Sequence, residues 1–171
     1  MQEIYTEFIQ KIFQNKDRLE RELGVKLTNQ GKNLFVDGEA DKEFIALQII
    51  DAVNTGFSVD KALLLKREDT ILQTLHIKDL TKRKDLERVR ARIIGKEGKT
   101  LRTLNNLTGC EFAIQENSVG IIGEAESINE AIQAVISLIQ GSKQANVYAR
   151  AEKEVKKQRL NPVDIRKSLR K

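Results

Sequence analysis

The sequence predicts an α+β fold made of two tandem copies of one β-α-α-β-β-α unit, and three observations support this. Residues 9–56 align without a gap with residues 94–141, at a constant offset of 85. Glycines coincide at three boundaries of this alignment: Gly24 with Gly109, Gly38 with Gly123 and Gly56 with Gly141. Apolar residues at helical spacing alternate in both copies with short strand-like stretches. Such an internal repeat indicates that one fold occurs twice.

The second copy carries a clear local signal for each element. We predict a strand at Leu86–Arg92, a glycine-containing turn, and a helix that ends at Gly109. Two strands follow, at Glu111–Gln115 and Val119–Ile122, because apolar residues alternate there. The last helix is expected to begin at a Ser127/Glu130 capping box and to end at Gly141.

In the first copy, the matching strand is predicted at Ile4–Phe8 and the last helix from about Asp41 to Val53. The position of the turn reads Gln10-Lys11-Ile12-Phe13 and has no glycine. Side chains there would obstruct close approach to the backbone, and Ile12-Phe13 suits packing better. The first copy is therefore expected to keep the fold without the turn.

The remaining segments complete a four-part division of the chain. We predict a first copy at 1–56, a connector at 57–85, a second copy at 86–141, and a basic helix with a mobile tail at 142–171. Ser58 is expected to cap a short helix in the connector, and Thr70–Ile77 to be extended, although a helix is also possible there. Pro162 interrupts the last helical pattern, so 161–171 is predicted to be mobile.

Two glycines three residues apart, Gly95 and Gly98, bracket the turn of the second copy. Glycine allows the backbone to bend sharply and to approach a ligand closely. The amides from Lys96 to Lys99, next to a helix N-terminus, are expected to face an anion. We interpret this turn as a phosphate-binding loop for single-stranded nucleic acid. Basic residues surround it: Arg88, Arg90, Arg92, Lys96, Lys99 and Arg102.

Charge is segregated along the chain. Residues 78–102 contain 10 basic and 4 acidic groups (+6), and residues 142–171 contain 10 and 3 (+7). Residues 1–77 and 103–141 carry −3 and −5, so the whole chain has a net charge of +5. Concentrated positive charge favours a polyanionic partner.

Composition excludes several other classes of protein. No apolar run approaches the roughly 20 residues of a membrane span, and the N-terminus lacks the pattern of a signal peptide. One cysteine and one histidine predict neither a disulfide nor a zinc site nor any cofactor, and Cys110 is expected to be buried. We therefore expect a cytoplasmic protein.

Residues 95–100 also resemble a P-loop, but Ile93 stands where that motif needs glycine, so an NTPase is not expected.

The segment Ile93–Lys99 (IIGKEGK) resembles the signature of the type I KH domain, which has the element order predicted above. The wider segments GFSVDKALLL at 56–65, RIIGKEGKTLRTLNNLTGCE at 92–111 and NVYARAE at 146–152 resemble the two-KH ribosome-assembly proteins of archaea. The chain is thus identified as two tandem type I KH-like domains. In this family the GxxG loop grips about four nucleotides of single strand.

The resemblance implies binding of single-stranded RNA near the 3′ end of small-subunit ribosomal RNA, without enzymatic activity. It also implies contact with the Nob-one endonuclease or with initiation factor two alpha. The alternative is a protein-binding scaffold with little RNA specificity, whose first copy docks the partner. The residues assigned to RNA are Arg90, Arg92, Ile94, Gly95, Lys96, Glu97, Gly98, Lys99, Thr100, Leu101, Arg102, Phe112 and Ala113.

Overall fold

A computed structural model describes residues 1–160 and divides into two compact units. The first unit contains Met1–Leu75 and Ala113–Ile122, and the second contains His76–Phe112 and the chain from Gly123 onward. Each unit has its own buried apolar residues. The predicted mobile tail at 161–171 lies outside the described residues.

The first copy of the repeat lies entirely in the first unit. Its elements are β1 (Gln2–Tyr5), α1 (Ile9–Gln14), α2 (Lys16–Leu23), β2 (Lys26–Gln30), β3 (Asn33–Asp37) and α3 (Ala40–Asn54). The antiparallel sheet has the order β1-β3-β2, with Ile4 opposite Leu34 and Leu27 opposite Val36. The predicted first strand therefore lies slightly earlier than Ile4–Phe8, whereas the predicted last helix is confirmed.

The position of the turn in the first copy is helical. Gln10–Phe13 lies inside α1, and Ile12 is fully buried in the core of the first unit. The chain bends at Asn15 instead, between α1 and α2. As predicted, this segment packs in the core and has no glycine bend.

After α3, Ser58 caps α4 (Val59–Ala62) by accepting a hydrogen bond from the Lys61 amide, as predicted. A 3₁₀ turn (Leu63–Lys66) leads to β4 (Thr70–His76), so the extended conformation predicted for Thr70–Ile77 is confirmed. β4 joins β5 (Glu111–Gln115) and β6 (Ser118–Glu124) in a second sheet of order β4-β6-β5. This order matches that of the first sheet.

Within the first unit, Gly120 of β6 lies against the end of the first copy. A Cβ at this position would lie 2.5 Å from Thr55 Cγ2 and 2.7 Å from Phe57 Cε2. Phe57 is almost completely buried, so a larger residue at 120 would displace it.

The second unit is mainly helical. It contains α5 (Ile77–Leu80), α6 (Leu86–Ile94), α7 (Lys99–Thr108), α8 (Ile128–Ile139) and α9 (Gln144–Leu160). Val89, Ile93, Leu104, Val135 and Leu138 are buried, and α9 packs against α7 and α8. No helix among residues 1–160 is both long enough and apolar enough to cross a membrane.

The structure corrects two predictions in this unit. Leu86–Arg92 forms helix α6 rather than a strand, because Asp85 caps it and Leu86, Val89 and Ile93 follow helical spacing. The strand that precedes the two helices is β4. The Ser127/Glu130 capping box does not form either: α8 begins after Ser127 without a side-chain cap, and Glu130 accepts a hydrogen bond from Gln158.

Candidate nucleic-acid interface

The candidate interface is the glycine loop between α6 and α7. Ile94 ends α6, Lys96–Gly98 forms one 3₁₀ turn, and α7 begins at Lys99. The backbone has positive φ at Gly95 (74°), Glu97 (55°) and Gly98 (73°). These left-handed conformations reverse the chain within four residues, so the loop projects between two helices.

Gly95 is required by a close contact as well as by its backbone angles. Its φ of 74° and ψ of 174° belong to a region that only glycine adopts readily. A Cβ at Gly95 would lie 2.1 Å from Thr100 Oγ1 and 2.7 Å from the Thr100 nitrogen. A Cβ at Gly98, in contrast, would meet no atom within 4 Å. The loop is thus closely packed at Gly95 and open at Gly98.

The amides of the loop are only partly available to a ligand. Gly98 N–H donates to the Gly95 carbonyl at 3.3 Å, and Lys99 N–H donates to the Lys96 carbonyl. The prediction that all amides from Lys96 to Lys99 face an anion is therefore wrong for these two. The amides of Lys96 and Glu97, the first two residues of the 3₁₀ turn, have no acceptor within that turn. These two amides are the donors that the loop offers.

Side-chain charge at the loop is exposed. Lys96, Glu97, Lys99 and Arg102 are all exposed, so three cations and one carboxylate share this small region. Arg102 also donates from Nη2 to the Glu97 carbonyl at 3.1 Å. That bond steadies the left-handed Glu97 and places the guanidinium beside the loop.

Two other assigned residues are occupied within the protein. Arg92 is half-buried and donates from Nη2 to the carbonyls of Gly141, at 2.8 Å, and Ser142. Thr100 is buried, and its hydroxyl accepts a hydrogen bond from Gln144 Nε2 at 3.0 Å. Both side chains hold the loop in place, so their direct use in ligand contact is restricted.

Gln144 was missed by sequence reasoning. Besides its bond to Thr100, its Nε2 donates to the Arg92 carbonyl at 3.3 Å. Arg92 in turn donates to the carbonyls of residues 141 and 142. Hydrogen bonds therefore run in both directions between the loop region and the segment that leads into α9. We call these contacts the α9 latch. The sequence signal for this connection was Gly141, which follows the end of α8 and lies three residues before the start of α9.

The remaining assigned residues are half-buried: Arg90, Ile94, Leu101, Phe112 and Ala113. Ile94 and Leu101 flank the loop on α6 and α7. Phe112 and Ala113 are the second and third residues of β5, and Ala113 packs partly against the core of the first unit. Partial burial leaves each of these side chains some accessible apolar surface.

The basic face of α9 is also exposed. Arg150, Lys153, Lys156 and Lys157 point outward, while Val147 and Ala151 are buried. Lys156 and Lys157 are paired with Glu152 and Glu154, respectively. The helix thus presents positive charge that is partly neutralised by its own carboxylates.

The single thiol is not part of a reactive site. Cys110 is fully buried, and burial raises the pKa of its thiol, so the protonated form is favoured. Among residues 1–160, no group of three His, Cys, Asp or Glu side chains is arranged to hold a metal ion. Cys110 therefore has a packing role, as predicted.

A family model matches residues 71–156 of the chain. It represents the second KH domain of PNO1 and is described as a eukaryotic type KH-domain (KH-domain type I). The matched region begins in β4 and ends in α9, so it contains the glycine loop and the α9 latch.

Curated relatives carry consistent names. A KH domain-containing protein of Methanocaldococcus jannaschii is 33% identical over 83% of this chain and 66% of its own length. The pre-rRNA-processing protein PNO1 of Debaryomyces hansenii is 37% identical over 68% of this chain and 46% of its own length. The chain therefore spans less than two thirds of the length of either relative.

A solved structure has the same fold over nearly the whole chain. It comes from the a/eIF2alpha-aDim2p-rRNA complex of Pyrococcus horikoshii OT3, with a TM-score of 0.83 and 25% identity. The match covers 91% of this chain and 94% of that one. The predicted two-copy KH-like fold is confirmed by this likeness and by the element order of the two sheets.

Proposed function

The chain belongs to the eukaryotic-type family of type I KH domains, and from this membership we propose that it binds single-stranded RNA through the glycine loop of its second copy. The observation that carries the proposal is the loop itself. The amides of Lys96 and Glu97, at the start of the 3₁₀ turn, lie next to three exposed cations. Hydrogen-bond donors and positive charge at one bend are complementary to a phosphodiester backbone.

In this proposal the phosphates lie against the open side of the loop. Gly98 has no atom near its missing Cβ, so an RNA backbone can approach there without a steric clash. Lys96 and Lys99 supply charge, and Arg102 supports the loop through its bond to the Glu97 carbonyl. The Glu97 carboxylate repels phosphate, so the Glu97 backbone contributes to binding while its side chain opposes it.

Base recognition in this proposal uses the half-buried apolar residues. Ile94 and Leu101 offer apolar contact beside the loop, and Phe112 and Ala113 on β5 complete the assigned set. The sequence has few aromatic residues, only 5% of the total. Selectivity would then depend more on hydrogen bonds to base edges than on stacking.

The proposed RNA is the 3′ region of small-subunit ribosomal RNA during ribosome maturation. The relative in Debaryomyces hansenii is named for pre-rRNA processing, and the structural neighbour was solved with rRNA and a/eIF2alpha. We propose the same class of RNA for this chain, together with initiation factor two alpha or the Nob-one-type endonuclease as protein partners.

The direct test replaces Lys96 and Glu97 with aspartate. The Lys96→Asp/Glu97→Asp variant should fold normally, since both side chains are exposed, and should bind RNA about tenfold more weakly or worse. Fluorescence anisotropy with a synthetic RNA of the archaeal small-subunit 3′ end measures the affinity, and circular dichroism measures the fold.

A matched control separates loop chemistry from net charge. Lys26→Asp, at an exposed position on β2, lowers the net charge by the same amount and should leave the affinity nearly unchanged. If the folded double variant binds as tightly as the original protein, the loop is not the RNA site. If both variants weaken binding equally, the interaction is nonspecific charge attraction.

A further inference from the structure

The exposed apolar residues of the protein are concentrated in the first copy, away from the glycine loop in sequence. Among residues 1–160, the large hydrophobic side chains that are exposed are Met1, Tyr5 and Phe44, the last with 62% of its surface accessible. All belong to the first unit: Met1 precedes β1, Tyr5 ends β1 and Phe44 lies on α3. A contiguous exposed apolar patch marks an interaction surface, so the neighbours of Phe44 decide whether it belongs to one.

Phe44 lies in a groove between β1 and α3. Its lining residues are Glu3 and Ile4 from β1 and Phe44, Leu47, Gln48 and Asp51 from α3. The α3 residues follow helical spacing along one face, while Ala46, Ile49, Ile50 and Val53 occupy the buried face. Helix α3 thus carries two apolar side chains, Phe44 and Leu47, on a second side that the first unit does not fully cover.

The groove also contains charge without an internal partner. Neither Glu3 nor Asp51 forms an ion pair or a side-chain hydrogen bond within residues 1–160. Partial desolvation raises the pKa of the Asp51 carboxyl, because no cation offsets the loss of water. Two unpaired carboxylates beside an apolar floor are complementary to lysine or arginine side chains with neighbouring apolar residues.

β1 contributes a further feature, an open sheet edge. The sheet order β1-β3-β2 places β1 at the edge, and its backbone pairs with β3 on one side. The Tyr5 carbonyl already accepts a hydrogen bond from Asn54 Nδ2 at 3.0 Å, so the rest of the β1 edge is the part that can offer backbone donors and acceptors to an added strand. In an added strand, alternate side chains point to the same face, so that apolar and basic residues can be arranged along the groove.

We propose that the groove between β1 and α3 docks an extended basic segment of a protein partner. An apolar side chain of the partner would contact Phe44 and Leu47, and a lysine or arginine would pair with Asp51 or Glu3. RNA is disfavoured because both carboxylates would repel phosphate. A second copy of this chain is disfavoured because a symmetric contact would bring the same carboxylates together. This site is separate from the RNA function proposed above.

A defined probe tests the chemistry of the groove. The probe is a fluorescent nonapeptide of alternating lysine and valine with blocked ends, and its counterpart has glutamate in place of lysine. Anisotropy titrations use the full 171-residue chain. We expect the basic peptide to bind and the acidic peptide not to bind.

Two groove variants and one control locate the binding. Phe44→Asn places at position 44 the residue that occurs at the aligned position of the second copy, Asn129, and should weaken peptide binding about tenfold. Asp51→Asn should weaken it severalfold. Glu68→Gln, an exposed carboxylate outside the groove, should have no effect. Thermal unfolding checks that each variant remains folded.

Several outcomes would overturn the proposal. Equal binding of the basic and acidic peptides, or basic-peptide binding unaffected by Phe44→Asn and Asp51→Asn, would show that the groove does not select a basic segment. Dimerisation that Phe44→Asn abolishes, measured by light scattering, would assign the groove to a second copy. Loss of RNA affinity in folded Phe44→Asn would assign it to RNA. The Lys96→Asp/Glu97→Asp variant should still bind the basic peptide, so failure of one proposal is distinguishable from failure of the other.

Discussion

Gly95 and Gly98 have similar φ angles but different surroundings, so alanine should affect them differently. At Gly95 an added Cβ meets Thr100 at 2.1 Å in a glycine-only region, and we expect Gly95→Ala to cost about 3 kcal/mol of unfolding free energy or more. At Gly98 the Cβ enters open space, and only the left-handed backbone costs energy, about 1 kcal/mol. Urea unfolding of the two variants measures the difference. Equal destabilisation would contradict it.

At the residue scale, Asp51 also leads to a prediction of how the stability of the protein depends on pH. Since desolvation raises its pKa in the folded state above the ordinary value, the folded protein binds this proton more tightly than the unfolded chain. The ionised carboxylate therefore destabilises the protein above the folded pKa, and this penalty disappears as the pH falls below the unfolded pKa. Asp51→Asn should stabilise the protein at pH 7 and have little effect near pH 3. Thermal melts at both pH values test this, and a destabilised variant at pH 7 would contradict it.

Single residues differ in how far sequence identifies their role. The place of Gly95, Gly98, Lys96 and Lys99 in a turn was predictable, since two glycines three apart between cations form a local pattern. The internal hydrogen bonds of Arg92 could not be predicted, because its acceptors are the carbonyls of residues 141 and 142, about 50 positions away. Backbone acceptors leave no trace in side-chain identity, so a basic residue near a loop looks free in sequence even when it is bound.

At the scale of elements, helix α6 shows why the secondary structure of a short segment is hard to predict from sequence. Val89-Arg90-Ala91-Arg92-Ile93 alternates as a strand would, yet Leu86, Val89 and Ile93 also fit helical spacing. Asp85 at the N-cap and a separate strand at Thr70–His76 favour the helix. Helices α3 and α8 are longer and have one consistent spacing, so their positions were predicted correctly.

From the α9 latch we expect that residues at the start of α9 hold the glycine loop between α6 and α7 in position. Gln144→Ala removes the donor to Thr100 and to the Arg92 carbonyl, leaving a buried hydroxyl without that partner. We expect a loss of about 1 kcal/mol in unfolding free energy. A loosened loop should also bind the RNA probe several times more weakly, although Gln144 carries no charge.

The control for the latch is Gln140→Ala, an exposed glutamine at the end of α8. It should change neither stability nor affinity appreciably. Hydrogen exchange of the Gly98 and Lys99 amides, which donate hydrogen bonds within the loop, would report the loosening directly, by faster exchange in Gln144→Ala. If the two glutamine variants behave alike, the latch does not position the loop.

At the scale of the whole molecule, the repeat predicted most of the architecture. Two sheets with the same strand order arise from two stretches with the same spacing of glycines and apolar residues. The repeat could not indicate that Ala113–Ile122 groups with the first copy in one compact unit, because such packing depends on contacts distant in sequence, such as Gly120 with Phe57. The two copies also differ in their surfaces: one has the glycine loop, and the other exposes Phe44 beside the carboxylates of Glu3 and Asp51.

This divergence of charge leads to a prediction for the complete chain. Residues 78–102 have a net charge of +6 and residues 1–77 of −3, so RNA binding through the loop should release only the counterions near the loop. With about three phosphates contacted by Lys96, Lys99 and Arg102, the logarithm of affinity should fall with the logarithm of salt concentration with a slope of about −2. Lys99→Ala should reduce the steepness by about 0.7, whereas Lys26→Ala should not change it. RNA titrations between 50 and 300 mM KCl, about the range in which such slopes are resolved, test this. If Lys99→Ala leaves the slope unchanged, the phosphates do not bind at the loop. Removing a lysine that contacts a phosphate must reduce the number of counterions released on binding.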